Sequence, residues 1–359
     1  MRLALDASLQ GRERPTGVER VQRVLLDALA PAAAAGGHEL LLLAPDPASR
    51  LPLALWRETT LTRELARRGA DVLLSPVAAV PLRAPCPVLA TLHELPWLEG
   101  PEARCAGDTR LAHRARAALA ARVAAAVICV SESTRVALLA AHPRARAVVI
   151  APGLDPAFRP ARPDERAADA AALQRPGLAG APCVLAVGSL RCKKNLAALL
   201  EAFALAAPAP WRLVLAGPDG DAAEALRARA ARPDLRGRVT LTGHVDDATL
   251  RALYRAAGLV ACPSLFEGFG LPLLEAMACG APVLAAPRAA AAEALGPAHV
   301  AAGTDPRALA EGLAALLADP ARRAALAAAG PVHAARFPAA LAARRTLALA
   351  ERVAAGGRP

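Results

Sequence analysis

Two glutamates, Glu267 and Glu275, stand eight positions apart in the stretch 263–280, which also holds two of the chain's five phenylalanines. Glu267 is followed directly by Gly268, and Gly270 lies two further on. A loop carboxylate beside glycines is a strong acceptor for the hydroxyls of a polyol. The apolar run 259–262 ahead of it reads as a buried strand. Pro272 suits the first turn of a helix, which Gly280 can stop. The loop therefore brings free backbone N–H groups to a helix start, a cradle for phosphate. Glu275 also has a plainer role near that first turn, pairing with the helix dipole for about 0.3–1 kcal/mol.

The stretch 187–195 is the second concentration. It carries the chain's only lysines, Lys193 and Lys194, and its only asparagine, Asn195. Every other basic residue is arginine. A solvated basic turn is one reading. Compact ammonium groups ahead of a helix, placed to hold a diphosphate, are the other. His93 closes the strand-like run 88–93 and either faces a ligand from the strand end or is satisfied by backbone. Gly17, after Thr16, either leaves room for a ligand at a helix start or completes an ordinary cap. The segment 104–122 carries Arg104, Arg110, Arg114, Arg116 and Arg122 with His113. It suits an anionic lipid surface or a lipid-linked acceptor, and equally a solvated arginine face.

The elements that must position these groups alternate. Strands are expected at 3–6, 40–44, 71–74, 88–93, 126–130 and 148–151, with helices at 18–30, 103–123 and 132–141. After the Pro-rich run 155–164, read as a linker, strands are expected at 184–187, 212–216, 239–242, 259–262 and 282–286. Helices are expected at 196–206, 222–230, 247–257, 290–295, 307–317, 321–329 and 338–354. This alternation is that of an α/β chain with doubly wound parallel sheets. The 359 residues exceed one ordinary core. Two Rossmann-like domains are expected, 1–160 and 161–335, facing a cleft, with 336–359 as a helix packing back on the first.

Composition bounds the function. The net charge of +11 favours anionic partners such as nucleotide sugars or lipid head groups. No basic patch is interleaved with aromatics, so nucleic acid is not expected as a partner. The apolar runs are too short to span a bilayer, and 1–6 reads as a strand rather than a leader. The cytoplasm is the expected location, with peripheral contact at the inner face of the membrane. Seven scattered cysteines suggest no disulfide framework, and no Cys/His cluster offers a metal site.

With these residues in hand, the chain resembles the retaining glycosyltransferase family 4 of the GT-B fold along nearly its whole length. Phe266-Glu267-Gly268-Phe269-Gly270-Leu271-Pro272-Leu273-Leu274-Glu275 and Gly243-His244-Val245 are similar to the family's nucleotide-sugar region, and Glu267 and Glu275 match its paired-glutamate pattern. Val187–Asn195, Thr91–Leu95, Val130–Arg135 and Thr16–Glu19 are similar to its other signatures.

The resemblance implies that Glu267 holds donor-sugar hydroxyls and Glu275 the ribose. Phe269, Gly270 and Leu271 would offer backbone N–H groups, while Lys194, with Lys193, neutralises the leaving diphosphate. His93 would contact the sugar, and Gly17 would make room for phosphate or acceptor. His244, Val245, Gly268 and Ser189 would complete the donor site. Ser189 stands where many members have Arg, Glu94 where Asp is usual, and Pro152 where Asn is frequent. No metal or other cofactor is implied. The expected reaction moves a hexose such as mannose from a nucleotide diphosphate sugar to a glycan or lipid-linked acceptor, in cell-surface polysaccharide or glycolipid synthesis. A GT-B nucleotide-sugar isomerase or epimerase, or a non-catalytic nucleotide-binding module, would share much of this sequence.

Overall fold

The computed structural model describes residues 1–10, 16–95, 110–175, 178, 180–286, 293–296 and 299–357. Two expectations lie partly outside them: the start of the helix at 103–123, with Arg104, and half of the helix at 290–295.

The chain divides into two compact units. The first comprises Met1–Leu98, Thr109–Gly153 and Phe337–Pro359. Its strands are β1 (Arg2–Asp6), β2 (Glu39–Leu43), β3 (Val72–Ser75), β4 (Val88–Leu92), β5 (Ala126–Cys129) and β6 (Ala147–Val149). They pair in parallel in the order β2-β1-β3-β4-β5-β6. Near-continuous apolar strands of this kind are buried on both faces. Leu3, Leu5, Val72 and Leu74 face one core, with Leu29 of α1 (Gly17–Ala35). Ala4 and Leu73 point the other way, as the two-residue period requires, and meet Trp56, Leu61 and Leu65.

Those last three residues belong to helical structure that the sequence reading missed. It runs through α2 (Leu53–Trp56), a π-helical turn at Arg57–Leu61, and α3 (Thr62–Arg68). Of the three other connections between strands of this unit, two carry helices, α4 (Arg110–Val123) and α5 (Glu132–Ala141). The C-terminal helix Ala339–Ala354 also belongs here and buries Ala343, Leu349 and Ala350 in the first core. Its approach is close: a Cβ on Gly153 would stand 2.3 Å from the Ala339 Cα.

The second unit comprises Leu154–Arg336. The run expected to be a plain linker continues into α6 (Arg166–Ala172) inside this unit. Its helices include α7 (Leu196–Ala206), α8 (Ala223–Ala230), α9 (Asp247–Ala256) and α10 (Leu271–Ala278). Arg255 of α9 pins the run, with Nη1 3.0 Å from Asp169 and Nε donating to the Arg159 carbonyl at 2.9 Å.

The strands of this unit are β7 (Cys183–Val187), β8 (Arg212–Ala216), β9 (Val239–Gly243), β10 (Leu259–Cys262), β11 (Val283–Ala285) and β12 (Val300–Ala301). All pairings are parallel, in the order β12-β11-β10-β7-β8-β9. The winding therefore reverses between β7 and β10. In doubly wound sheets the ligand crevice opens at such a reversal, outside the carboxyl ends of the two strands. Phe203, Leu213, Leu215 and Leu259 fill the core beneath it.

Candidate functional site

The loops leaving β7 and β10 carry the two stretches richest in unusual chemistry, and the fold places them side by side at the reversal. The β7 loop turns at Gly188, whose φ of +142° L side chains rarely adopt. A Cβ there would also press within 3.2 Å of Lys194 Cε. The loop then forms a short 3-10 turn, Cys192–Lys194. Asn195 ends that turn with φ +55°, the one non-glycine at positive φ among the described residues. Asparagine tolerates this conformation better than most side chains. Its Nδ2 donates to the carbonyls of Pro263, at 3.2 Å, and Thr304, at 2.7 Å. Leu265 N donates to the Lys193 carbonyl at 2.9 Å. The solitary asparagine is thus the staple between the two loops.

Across this staple Lys194 Nζ lies 2.5 Å from Glu267 Oε1, with the two side chains 14% and 12% exposed. Ser264 Oγ donates to the same oxygen at 2.7 Å. Burial pushes the Glu267 carboxyl up, but the Lys194 charge, its hydrogen bond and that of Ser264 outweigh burial. The carboxyl is held below its ordinary range. A buried ion pair of this kind adds little net stability over apolar residues of similar volume. It does hold an ammonium and a carboxylate ready at one point for an anion and a polyol.

Gly270 caps α10 with φ +94°, and Phe269 beside it is buried. Leu271 opens the helix, so the start of α10 adjoins the ion pair's loop. Glu275 is buried within α10, one turn in, and accepts a hydrogen bond from Tyr254 Oη at 3.1 Å. Tyr254 is fully buried on α9, its ring edge-on to Phe158 at 5.9 Å. The sequence reading missed both Ser264 and Tyr254. Their signals were faint: a serine three positions before Glu267, and the chain's only tyrosine.

Ser189 and Gly268 lie in the same two loops, each partly buried. His244 and Val245 follow β9, one of the two edge strands of this sheet, and His244 is exposed. Among the described residues no hydrogen bond joins them to Lys194 or Glu267. Cys192 is disulfide-bonded, a pairing the scattered cysteines do not suggest. Cys86, Cys129, Cys183, Cys262 and Cys279 are free thiols.

His93 and Gly17 belong to the first unit. His93 Nε2 donates to the Pro76 carbonyl at 2.8 Å. Burial pushes the imidazole below its ordinary value, so it is neutral at pH 7 with Nδ1 as acceptor. Gly17 follows a capping box in which Thr16 N donates to Glu19 Oε2 at 2.5 Å and Thr16 Oγ1 accepts from Glu19 N. A Cβ on Gly17 would meet nothing within 4 Å. The cap accounts for Thr16 and Glu19, and open space remains at the glycine.

Residues 174–333 match the family model for glycosyl transferases group 1, and residues 16–158 match that for glycosyltransferase family 4. The chain belongs to this glycosyltransferase family. The first match takes in every residue of the ion-paired site, and the second takes in Gly17 and His93. Among relatives, the Escherichia coli O-antigen chain mannosyltransferase B is 39% identical over 116 residues, 31% of this chain and 30% of the relative. A D-inositol 3-phosphate glycosyltransferase of Xylanimonas cellulosilytica is 37% identical over 197 residues, 53% of this chain and 47% of the relative. The matched stretches thus span less than half of either relative. Among solved structures, Anabaena HepE in complex with UDP and glucose shares the fold, with a TM-score of 0.75 at 22% identity over 98% of this chain and 99% of that one. The fold of this family 4 member is GT-B, built from two Rossmann-like parallel-sheet units.

Proposed function

We propose that the protein transfers a hexose from a nucleotide diphosphate sugar to a hydroxyl of a glycan or lipid-linked acceptor, with retention at the anomeric carbon. The observation that carries this reading is the Lys194–Glu267 pair at the reversal of the second sheet. A diphosphate needs a cation and N–H groups, and a hexose needs a hydroxyl acceptor within a few ångströms of them. Lys194 and the start of α10 supply the first, and Glu267 the second. Glu275 takes the ribose hydroxyls, and Lys193 adds charge.

In this reaction the bond from C1 to the diphosphate oxygen breaks and the bond from C1 to the acceptor oxygen forms on the same face. The acceptor proton passes to the departing phosphate. Lys194 stabilises the charge that develops there, an electrostatic device that requires no metal. The relatives named as a mannosyltransferase and as a D-inositol 3-phosphate glycosyltransferase, and HepE with UDP and glucose, support a hexosyl nucleotide as donor. The mannosyltransferase makes GDP-mannose the first donor to test. No helix among the described residues is long and apolar enough to cross a membrane. We place the enzyme in the cytoplasm, working at the inner membrane face on cell-surface polysaccharide or glycolipid. A thermal-shift screen of nucleotide sugars tests the donor, since a ligand that binds the native state raises Tm. A shift with one sugar nucleotide supports the reading, and no shift with any of them counts against it.

A further inference from the structure

Four arginines of the first unit surround one cavity that the donor site does not use. Parallel strands all begin on one edge of their sheet, so the segments entering β4, β5 and β6 meet there. They line a depression of about 510 Å³. Arg83 comes from the loop ahead of β4, Arg122 from the last turn of α4, and Arg144 and Arg146 from the loop ahead of β6. His93 follows the opposite end of β4.

No carboxylate is among the described residues that line the cavity. Among the described residues, none of these four guanidinium groups has a protein partner. Some arginines of the chain are ion-paired, as in Arg135–Glu132, Arg227–Asp219 and Arg229 with Glu201 and Asp234; what sets these four apart is that they line one depression. The four are exposed around one depression, and the carboxylates nearest it are engaged elsewhere or act on Cys86: Glu58 accepts from the Leu82 N–H at 2.9 Å, and the Asp71 charge acts on the thiol. The carbonyl end of α4 offsets about half a charge, against four full cations. Guanidinium forks match pairs of phosphoryl oxygens, and the volume is that of a small-ligand site.

We propose that this pocket binds a phosphoryl-bearing anion, either a soluble phosphorylated compound or the head group of an anionic phospholipid. Cys86 lines the pocket and reports on it directly. Its thiol is pushed up to about 11, by burial first and by the Asp71 charge second. Alkylation by iodoacetamide in mildly alkaline buffer is therefore slow enough to time.

Alkylation of Cys86, read by peptide mapping, is measured with millimolar inorganic pyrophosphate and separately with vesicles. The vesicles are phosphatidylcholine, with and without phosphatidylglycerol. Occupancy is expected to slow the reaction about fivefold or more, since reactivity follows access and thiolate character. Arg144→Glu/Arg146→Glu abolishes this protection. Arg344→Glu/Arg345→Glu on the C-terminal helix, with the same charge change, keeps it, and so does Lys194→Ala. Protection by pyrophosphate supports a soluble ligand, and protection by phosphatidylglycerol vesicles alone supports a head group. Protection by neither overturns the proposal. So does protection that survives Arg144→Glu/Arg146→Glu, or that is lost equally in the control.

Discussion

Lys194 Nζ and Ser264 Oγ converge on one oxygen of Glu267, Oε1, from the two loops that flank the reversal of the second sheet. The carboxylate is thereby fixed in rotation as well as in charge through Oε1. Glu267→Gln keeps this shape and removes the charge. It is expected to lower turnover roughly 100-fold or more, the scale for loss of one well-placed polar group in an active site. Steady-state transfer rates and Tm, measured together, check this. Near-normal turnover would show that the site lies elsewhere.

Stability and function should separate at this pair. Glu267→Ala removes the carboxylate from beside a buried lysine, a change of about 3–5 kcal/mol for such pairs. Glu267→Leu/Lys194→Met replaces both with apolar side chains and is expected to keep a denaturation midpoint near that of the parent. It should still bind no nucleoside diphosphate. Tight binding by this double variant would remove Lys194 from the phosphate role. A chelator is expected to leave transfer unchanged, and strong inhibition would reveal a metal dependence.

The pH dependence has a fixed sign. Glu267 is held below its ordinary 4.5 in the folded protein, where burial is outweighed by the Lys194 charge and the hydrogen bonds. A depressed carboxyl contributes stability that is present above the unfolded value and lost as pH falls through the folded one. The Tm difference between parent and Glu267→Gln should therefore be flat from neutral pH down to about 5 and shrink in more acid buffer. A difference that grows with acid would contradict the assignment. His93 works in the other window: its lowered folded value means stability is lost as pH falls below its ordinary 6.5.

Tyr254 is expected to act as a positioning residue through Glu275. Tyr254→Phe keeps the ring against Phe158 and removes the hydroxyl that donates to Glu275. One lost hydrogen bond to a charged group, about 1.5–3 kcal/mol, corresponds to roughly 10- to 100-fold. The readout is the affinity ratio of a ribonucleoside diphosphate to its 2′,3′-dideoxy analogue. A ratio that falls toward one in the variant supports the role, and an unchanged ratio removes Tyr254 from it.

Asn195 should show its backbone role in a pair of variants. Asn195→Gly keeps the positive φ and loses the two loop-tying hydrogen bonds, whereas Asn195→Ala loses both features. The alanine variant is expected to be less stable by about 1 kcal/mol more, the cost of αL for a residue with a Cβ. Denaturant midpoints check this, and equal midpoints would mean that the turn relaxes.

The strands and most helices were legible because apolar runs and helical spacing are local properties. So was the pair Glu267 and Glu275, since its spacing is written in the chain. Asn195 was noticed only for its rarity, and its φ and its two carbonyl partners needed the fold. Tyr254 meets Glu275 only once α9 and α10 pack, and no spacing encodes that. The segment Leu53–Trp56 through Thr62–Arg68 was missed because a π-helical turn shifts its periodicity midway. The helix Arg166–Ala172 was missed because the Pro-rich run 155–164 ahead of it hides its start, and Arg255 holds it from α9.

The central claim is tested most directly by transfer itself. The protein is incubated with GDP-mannose, UDP-glucose and other nucleotide sugars, together with glycan and lipid-linked acceptors. Nucleoside diphosphate release and the anomeric configuration of the product are then read by NMR. The account predicts a glycosidic product that keeps the donor's configuration and is lost in Glu267→Gln. Nucleotide binding without transfer from any donor, or a product of inverted configuration, would contradict it.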